Sequence, residues 1–118
     1  MVVKNEKDVV PIPLQDAEKA FIQPLMTRLD GTQQLELRRF IIKPGGRIPA
    51  HLHPEIEHVQ YVLKGKYTVK IGEELYIVKA GDVIHIPPNT PHYYENSGDE
   101  DAVFICTIPK RDYTTVML

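Results

Sequence analysis

Four of the five histidines of this chain fall into two clusters, and their placement constrains the fold more than any other feature. His51 and His53 are separated by a single residue, His58 follows soon after them, and His92 stands well downstream. Because side chains alternate along a β-strand, two histidines with one residue between them share a face and can reach the same ion. One strand supplies only two such ligands, so the spacing favours a structure that brings several strands around one metal.

Short stretches rich in β-branched and aromatic residues recur about every ten residues and are bounded by Gly, Pro, Asn and Asp. This spacing is typical of sandwiches and barrels, and no helical period runs far along the chain. Residues 16–20 allow one helical turn, which Pro24 would stop. We therefore predict an all-β fold whose strands lie at 21–29, 35–43, 58–63, 67–71, 74–79, 83–86, 92–95 and 102–108.

Composition narrows the class of protein. A chain of 118 residues favours one compact domain spanning 1–118, and its 42% hydrophobic and 25% charged residues are near the globular average. The net charge of −2 with scattered Lys and Arg indicates no nucleic-acid partner, and the absence of a long apolar run indicates no membrane span. A single cysteine, Cys106, and an N-terminus without an apolar signal region favour a cytoplasmic protein whose partner is a small molecule.

Two stretches of the sequence resemble the two motifs of the cupins. In the first, Gly45 is followed by the three clustered histidines and then by Gly65, in the pattern G-x5-H-x-H-x4-H-x6-G. In the second, residues 81–96 match G-x5-P-x-G-x2-H-x3-N except that Asn89 replaces a glycine, and both residue types tolerate the left-handed backbone of a tight turn. The resemblance implies a double-stranded β-barrel of the jelly-roll-like cupin type. It would have a motif core at 45–96, a short N-terminal extension and one metal inside the barrel.

The third ligand is the point at which this sequence departs from most cupins, which carry a metal-binding glutamate there. Counting back from Gly65 selects His58, whereas counting forward from His53 selects Glu57. Neighbours on a strand face opposite sides, so only one of the two can face the metal. We favour His58 because the count from Gly65 lies within a strand, and we keep Glu57 as the alternative. The chain then resembles the four-histidine subclass of single-domain cupins, with the ligands His51, His53, His58 and His92.

Four neutral imidazoles predict the chemistry of the ion but not its identity. Imidazole suits Mn, Fe, Cu, Ni and Zn, so we expect one divalent transition metal without choosing among these. The ion keeps its full positive charge, and four ligands around an octahedral ion leave two adjacent positions open. Such a site suits a small oxygen-bearing substrate, bound alone or together with dioxygen.

Three function classes are compatible with this chemistry. The first is a mononuclear non-haem metalloenzyme of the oxygenase type, possessing dioxygenase-like activity. The second is a redox-neutral, metal-dependent isomerase or lyase, and the third is a small-molecule binding or sensor protein without turnover, since a fold alone implies no reaction. The only candidates for a positioned acid or base are Tyr94, Glu57 and His85, and we interpret His85 as a packing residue of the core or of an interface.

The substrate pocket is predicted from strand alternation. Arg38 and Arg39 lie in mid-strand, so one of them must face inward, where an arginine needs an anion or an acidic partner. An inward arginine favours an anionic substrate. The full set of pocket candidates is Arg38, Arg39, Gln60, Tyr94, Phe104 and Cys106.

The strand that carries His58 also predicts the oligomeric state. If His58 faces the lumen, then Val59, Tyr61 and Leu63 point out of the barrel and need a cover. Residues 9–13, residues 113–118 or a second subunit are the candidates for that cover. We expect a homodimer.

Overall fold

The computed structural model describes all 118 residues and confirms the all-β prediction. The only helices are two 3-10 turns, at Glu6–Asp8 and Arg28–Asp30. None of the helices has the length and apolarity that crossing a bilayer requires. The ten strands are β1 (Ile12–Pro13), β2 (Glu18–Met26), β3 (Leu35–Leu52), β4 (His58–Lys64), β5 (Lys66–Ile71), β6 (Glu74–Lys79), β7 (Val83–Ile86), β8 (His92–Glu95), β9 (Ala102–Pro109) and β10 (Val116–Met117).

The strands form one sheet that curls around the core. Its main path runs β6-β5-β8-β3-β9-β4-β7, while β1 and β2 extend it on the other side of β3 and β10 pairs with the end of β3. The long strand β3 serves both halves of the sheet, because its first part pairs with β9 and its last part with β8. Between the two parts lies Gly45, whose φ of 80° suits glycine. The histidines near the end of β3 are thereby placed beside β8.

An aromatic stack joins the two halves of the sheet. The ring of Phe104, on β9, lies 4.9 Å from that of Phe40, 5.5 Å from Tyr67 and 5.2 Å from Tyr94, measured between centroids. Phe40 and Phe104 belong to the first half, and Tyr67 and Tyr94 to the second. Stacked aromatic pairs of this kind contribute about 0.5–1.5 kcal/mol each beyond their buried area. The stack therefore packs the two halves of the sheet against each other.

The predicted strands are all present, but some of their bounds are wrong and two short strands were missed. β2 spans Glu18–Met26 instead of 21–29, because a 3-10 turn occupies Arg28–Asp30. β3 continues to Leu52 instead of ending at Lys43, and the two-residue strands β1 and β10 were not predicted. The helical turn at 16–20 is wrong. Asp16 and Lys19 adopt left-handed backbone angles, with φ of 63° and 50°, and β2 already begins at Glu18.

Two turns of the barrel place strict demands on the backbone. Gly65 has a φ of 82°, and a Cβ there would lie 2.5 Å from the carbonyl oxygen of Asp101. Asn89 has a φ of 58°, as expected for an asparagine at the glycine position of the second motif. The N–H of Asn89 donates to the carbonyl oxygen of His53 at 2.8 Å. This bond ties the turn before β8 to the residues that follow β3.

The outer face of β4 is apolar and exposed, as the sequence predicts. Val59, Tyr61 and Leu63 retain 53%, 47% and 45% of their accessible surface, whereas His58 and Gln60 are buried. Neither terminal segment covers this face within the chain. β1 pairs with β2, and β10 pairs with the end of β3.

Candidate metal centre and its cavity

Three histidines meet where β3 and β8 run side by side. His51, near the end of β3, stands opposite His92, at the start of β8, in the antiparallel register. His53 follows the end of β3 by one residue. The ligand atoms of His51, His53 and His92 lie within 4.8 Å of one another. A group with this spacing can hold a transition metal.

The backbone fixes the protonation of these three imidazoles. The Nδ1 atoms of His51, His53 and His92 lie 2.8, 3.1 and 2.9 Å from the carbonyl oxygens of Pro49, Thr114 and Thr90, respectively. A carbonyl oxygen only accepts, so each Nδ1 carries the proton and donates it. Each Nε2 is then left with a free lone pair, which is the arrangement that a metal-binding histidine requires.

His58 approaches the same place from the opposite half of the sheet, although it lies outside the group of three. Its ring centroid is 5.1 Å from that of His53 and 5.2 Å from that of His92. The Nε2 atom of His58 is buried and has no hydrogen-bond partner. A buried imidazole nitrogen without a partner is costly, and an ion at this position would satisfy it.

The other ring nitrogen of His58 has two close neighbours. Its Nδ1 lies 3.3 Å from Sγ of Cys106 and 3.4 Å from Nη2 of Arg38. The guanidinium can only donate, whereas the sulfur can accept a weak hydrogen bond. Cys106 therefore offers the contact that allows His58 to carry its proton on Nδ1 and to leave Nε2 free.

Glu57, the alternative third ligand, faces away from the cluster. It is exposed, and its Oε1 lies 2.9 Å from Nε2 of His85. The core half of the prediction for His85 is therefore wrong, because more than half of its side chain is accessible to solvent, whereas a place in an interface stays a prediction. Glu57 and His58 are neighbours in the sequence, and their side chains point to opposite sides, as alternation along an extended chain predicts.

Burial keeps the four imidazoles neutral. Desolvation lowers the pKa values of His51 and His53 below their usual range. Desolvation first, and then the charge of Arg38, lowers the pKa of His58 to about 2. Desolvation and the neighbouring His51 lower the pKa of His92 to about 4. A histidine must be neutral to bind a metal, so the lowered pKa values of all four histidines and the tautomers of His51, His53 and His92 fit a metal ion.

The four histidines open into a cavity of about 430 Å³. Of the predicted pocket residues, Arg38, Gln60 and Tyr94 line this cavity. Phe104 and Cys106 are fully buried behind the lining, where Cys106 contacts His58 and Gln60. Arg39 lies on the other side of the sheet, where it donates to Gln23 at 2.6 Å and pairs with Glu6 at 2.7 Å. The structure thereby separates the two neighbouring arginines.

Arg38 gives the cavity an unbalanced positive charge. No carboxylate lies within ion-pair distance of it. Its guanidinium carbon sits 5.0 Å above the centre of the Phe40 ring, and its Nε is buried without a hydrogen-bond partner. The one carboxylate in the cavity lining, that of Asp16, is exposed. An anionic ligand would supply the missing partner.

Sequence reasoning missed the parts of the wall that come from the two ends of the chain. These segments are mostly exposed, and neither shows the alternation that would mark a buried face. Three further lining residues, Phe40, Ile48 and Pro49 of β3, were also not predicted. A signal was present for Ile22 and Phe40, which belong to predicted strands. The missed residues outside β3 are Leu14, Gln15, Asp16, Ile22, Tyr113, Thr115 and Met117.

Comparison with known proteins agrees with the fold. Residues 38–108 match the family described as the cupin domain, which is more than half of the chain. The chain therefore belongs to the cupin family. The matched region contains all four clustered histidines and Arg38.

Three proteins illustrate what this chain is similar to in sequence and in structure. The uncharacterized protein MJ1618 of Methanocaldococcus jannaschii is 31% identical over 107 residues, which are 89% of this chain and 84% of that protein. Oxalate oxidase 1 of Hordeum vulgare is 32% identical over 82 residues, covering 63% of this chain and 41% of that protein. The structure of the polyketide cyclase RemF from Streptomyces resistomycificus superposes with a TM-score of 0.92 and 24% identity, covering 100% of this chain and 85% of that chain. At that identity the last likeness shows the fold alone. The chain spans less than half the length of the oxalate oxidase.

Proposed function

We propose that His51, His53, His58 and His92 together hold one divalent transition metal and that the protein is a mononuclear metalloenzyme of the oxygenase type. The observation that carries the proposal is the buried, unpartnered Nε2 of His58 beside three histidines whose tautomers leave their own Nε2 atoms free. When bound, the ion would supply a Lewis acid with open positions for an oxygen donor and dioxygen. Any of Mn, Fe, Cu, Ni or Zn fits this donor set.

The cavity supports a small anionic substrate that carries oxygen donors. Arg38 would bind an enolate, catecholate or carboxylate oxygen, because no carboxylate of the chain lies within ion-pair distance of its guanidinium. Gln60 Oε1 is buried without a partner and would accept a hydrogen bond from a substrate hydroxyl. The volume of about 430 Å³ admits molecules larger than a two-carbon diacid.

The acid–base groups of the cavity favour oxygenation over a redox-neutral isomerase or lyase reaction. Burial raises the pKa of Tyr94, so its hydroxyl stays protonated, and it accepts a hydrogen bond from Nε2 of Gln60 at 2.8 Å. Glu57 and His85 pair with each other on the outside and do not line the cavity. The one carboxylate of the lining, that of Asp16, is exposed. An isomerase needs a positioned base, whereas an oxygenase that acts on an already anionic substrate needs none.

The test is oxygen consumption by metal-loaded protein. Iron, manganese or copper would be loaded anaerobically, small diketones, catechols and 2-hydroxy acids titrated in, and air then admitted. We expect oxygen uptake that depends on the substrate and is lost in His58→Ala. Tight binding without oxygen uptake for every metal would favour a binding or sensor protein, and product formation without uptake would favour an isomerase or lyase.

A pair of arginine variants tests the substrate charge within the same experiment. Arg38→Met should weaken the binding of an anionic ligand about 10- to 100-fold, because a hydrogen bond to a charged group contributes about 1.5–3 kcal/mol. Arg39→Met is the matched control, since Arg39 makes its contacts outside the cavity. Equal losses in both variants would contradict the assignment of Arg38 to the substrate.

We also propose that the protein forms a homodimer through the outer face of β4 and β7. Val59, Tyr61, Leu63 and the neighbouring Val83 are exposed there, and neither terminal segment of the chain covers them.

Light scattering should give twice the 13.5 kDa of one chain. Val59→Lys combined with Val83→Lys should yield monomers, whereas Leu75→Lys, on the exposed face of β6, should not. A native protein that is monomeric at micromolar concentration would rule the dimer out.

A further inference from the structure

Residues 113–118, here called the strap, lie along the segment of the chain that carries two of the candidate metal ligands. Val116 and Met117 pair with Leu52 and His51 as β10. The N–H of Leu118 donates to the carbonyl oxygen of Ala50 at 3.1 Å. The strap thus adds a short edge to β3 beside the metal centre.

The strap also supplies the hydrogen-bond acceptor of one ligand. The carbonyl oxygen of Thr114 accepts from Nδ1 of His53 at 3.1 Å, and the hydroxyl of Thr115 is 3.3 Å from the same nitrogen. The ring of Tyr113 meets the His53 ring edge-on, with 5.2 Å between centroids. His51 and His92 differ in this respect, because their acceptors lie only two residues before them. Of the three grouped histidines, only His53 depends on a distant segment for its orientation.

Few other contacts hold the strap in place. Val116, Met117 and Leu118 remain 42%, 45% and 65% exposed. The carboxylate of Glu55 is the main anchor, because its oxygens accept from the N–H and the hydroxyl of Thr114 at 3.0 to 3.1 Å. A segment with so little buried apolar surface can undock without unfolding the barrel.

The strap is at the same time a wall of the cavity. Tyr113, Thr115 and Met117 all line it, together with the four histidines. Undocking would therefore open the cavity to solvent and would release Nδ1 of His53 in a single event.

We infer that the strap is a positioning element for His53 and that strap docking and metal binding stabilise each other. This inference rests on the proposed metal centre. An ion on Nε2 makes the Nδ1–H group a stronger donor to Thr114, and the docked carbonyl holds His53 in the tautomer and orientation that bind the ion. Because linkage is reciprocal, the factor by which the strap raises metal affinity equals the factor by which the metal favours docking.

Co²⁺ alone serves as the probe, since the inference concerns binding and not turnover. Removal of residues 113–118 should weaken Co²⁺ binding about 10- to 100-fold, the usual effect of losing a hydrogen bond to a ligand histidine. In the intact chain, saturating Co²⁺ should slow hydrogen exchange of the Leu118 amide by a similar factor. For the metal-free protein, nitrogen NMR of the imidazoles should show that the truncation lowers the Nδ1–H population of His53 and leaves that of His51 unchanged.

Substitutions at the anchor give a test that leaves the strap in the chain. Glu55→Ala should lower Co²⁺ affinity and increase exchange of the Leu118 amide. Glu55→Gln retains an acceptor oxygen for the Thr114 N–H and should restore much of both. Glu57→Ala is the matched control, because Glu57 lies two residues away and contacts only the exposed His85.

The outcomes separate this inference from the proposed function. Equal Co²⁺ affinity in the intact and truncated chains, with exchange at Leu118 unaffected by Co²⁺, would overturn the coupling and leave the metal centre standing. Failure of the intact chain to bind Co²⁺ would overturn both.

Discussion

Replacing His51 and His92 together by alanine is expected to abolish stoichiometric metal binding. The two rings face each other across β3 and β8, with 4.2 Å between their centroids, and their Nδ1 atoms are committed to backbone carbonyls. Loss of a hydrogen bond to a ligand costs about 10- to 100-fold in metal affinity, so loss of two ligands should cost more. Elemental analysis of protein purified under identical conditions gives the result directly.

His85→Ala provides the control for this experiment. His85 is the one histidine outside the cluster, it is exposed, and its contact is with Glu57. Its removal should leave the metal content unchanged. Full occupancy in the double variant, or an equal loss in His85→Ala, would show that the ion is bound elsewhere.

Acidification is expected to destabilise the metal-free protein well above the pH at which its carboxylates protonate. The folded state holds the pKa of His92 at about 4 and that of His58 at about 2, whereas an unfolded histidine takes up its proton near the ordinary value of 6.5. Below pH 6.5 the unfolded chain therefore binds more protons than the folded chain, and stability falls as the pH falls through this window. Each unit of difference in pKa between the folded and unfolded states corresponds to about 1.4 kcal/mol. His92 alone therefore lowers the free energy of unfolding by on the order of 3 kcal/mol as the pH falls from 6.5 to its folded-state pKa of about 4.

Urea unfolding of the metal-free protein at intervals between about pH 8 and pH 4.5 measures this effect. The free energy of unfolding should begin to fall below pH 6.5. It should fall less steeply with pH in His58→Gln, because glutamine cannot take up the proton. Saturating metal should shift the loss of stability to lower pH, because a bound ion keeps its ligands neutral. A metal-free protein whose stability is constant between pH 7 and pH 5 would show that these histidines are not desolvated.

Strand positions and the inward face could be predicted because period-two alternation ties each residue to one side. The same rule that grouped His51 with His53 also sent Val59, Tyr61 and Leu63 to the exposed side of β4. The second motif fixed the turn at Asn89, because few residue types accept a φ of 58°. Local chemistry of this kind is visible in a single sequence.

Features that depend on packing between distant parts of the chain could not be predicted from the sequence. Alternation shows that Arg38 and Arg39 face opposite sides, but only the register of β3 against β9 places Cys106 opposite Arg38 and turns Arg38 into the cavity. The contact between Thr114 and His53 joins residues far apart in the chain, and the exposed residues around Thr114 carry no pattern. The left-handed turn at Asp16 and Lys19 likewise overrides the weak helical propensity of its sequence.

The main-chain acceptors of the three grouped histidines affect how such a protein can change over time. Pro49, Thr90 and Thr114 hold the imidazoles through carbonyl oxygens, which every amino acid possesses. Substitutions at these positions can alter side chains without altering the atoms that orient the ligands. The wall residue Ile22 makes no hydrogen bond to the histidines and can be exchanged with similar freedom, whereas Met117 belongs to the strap. In the metalloenzyme proposed above, changes in the part of the wall outside the strap would therefore select a new substrate while the ion is retained.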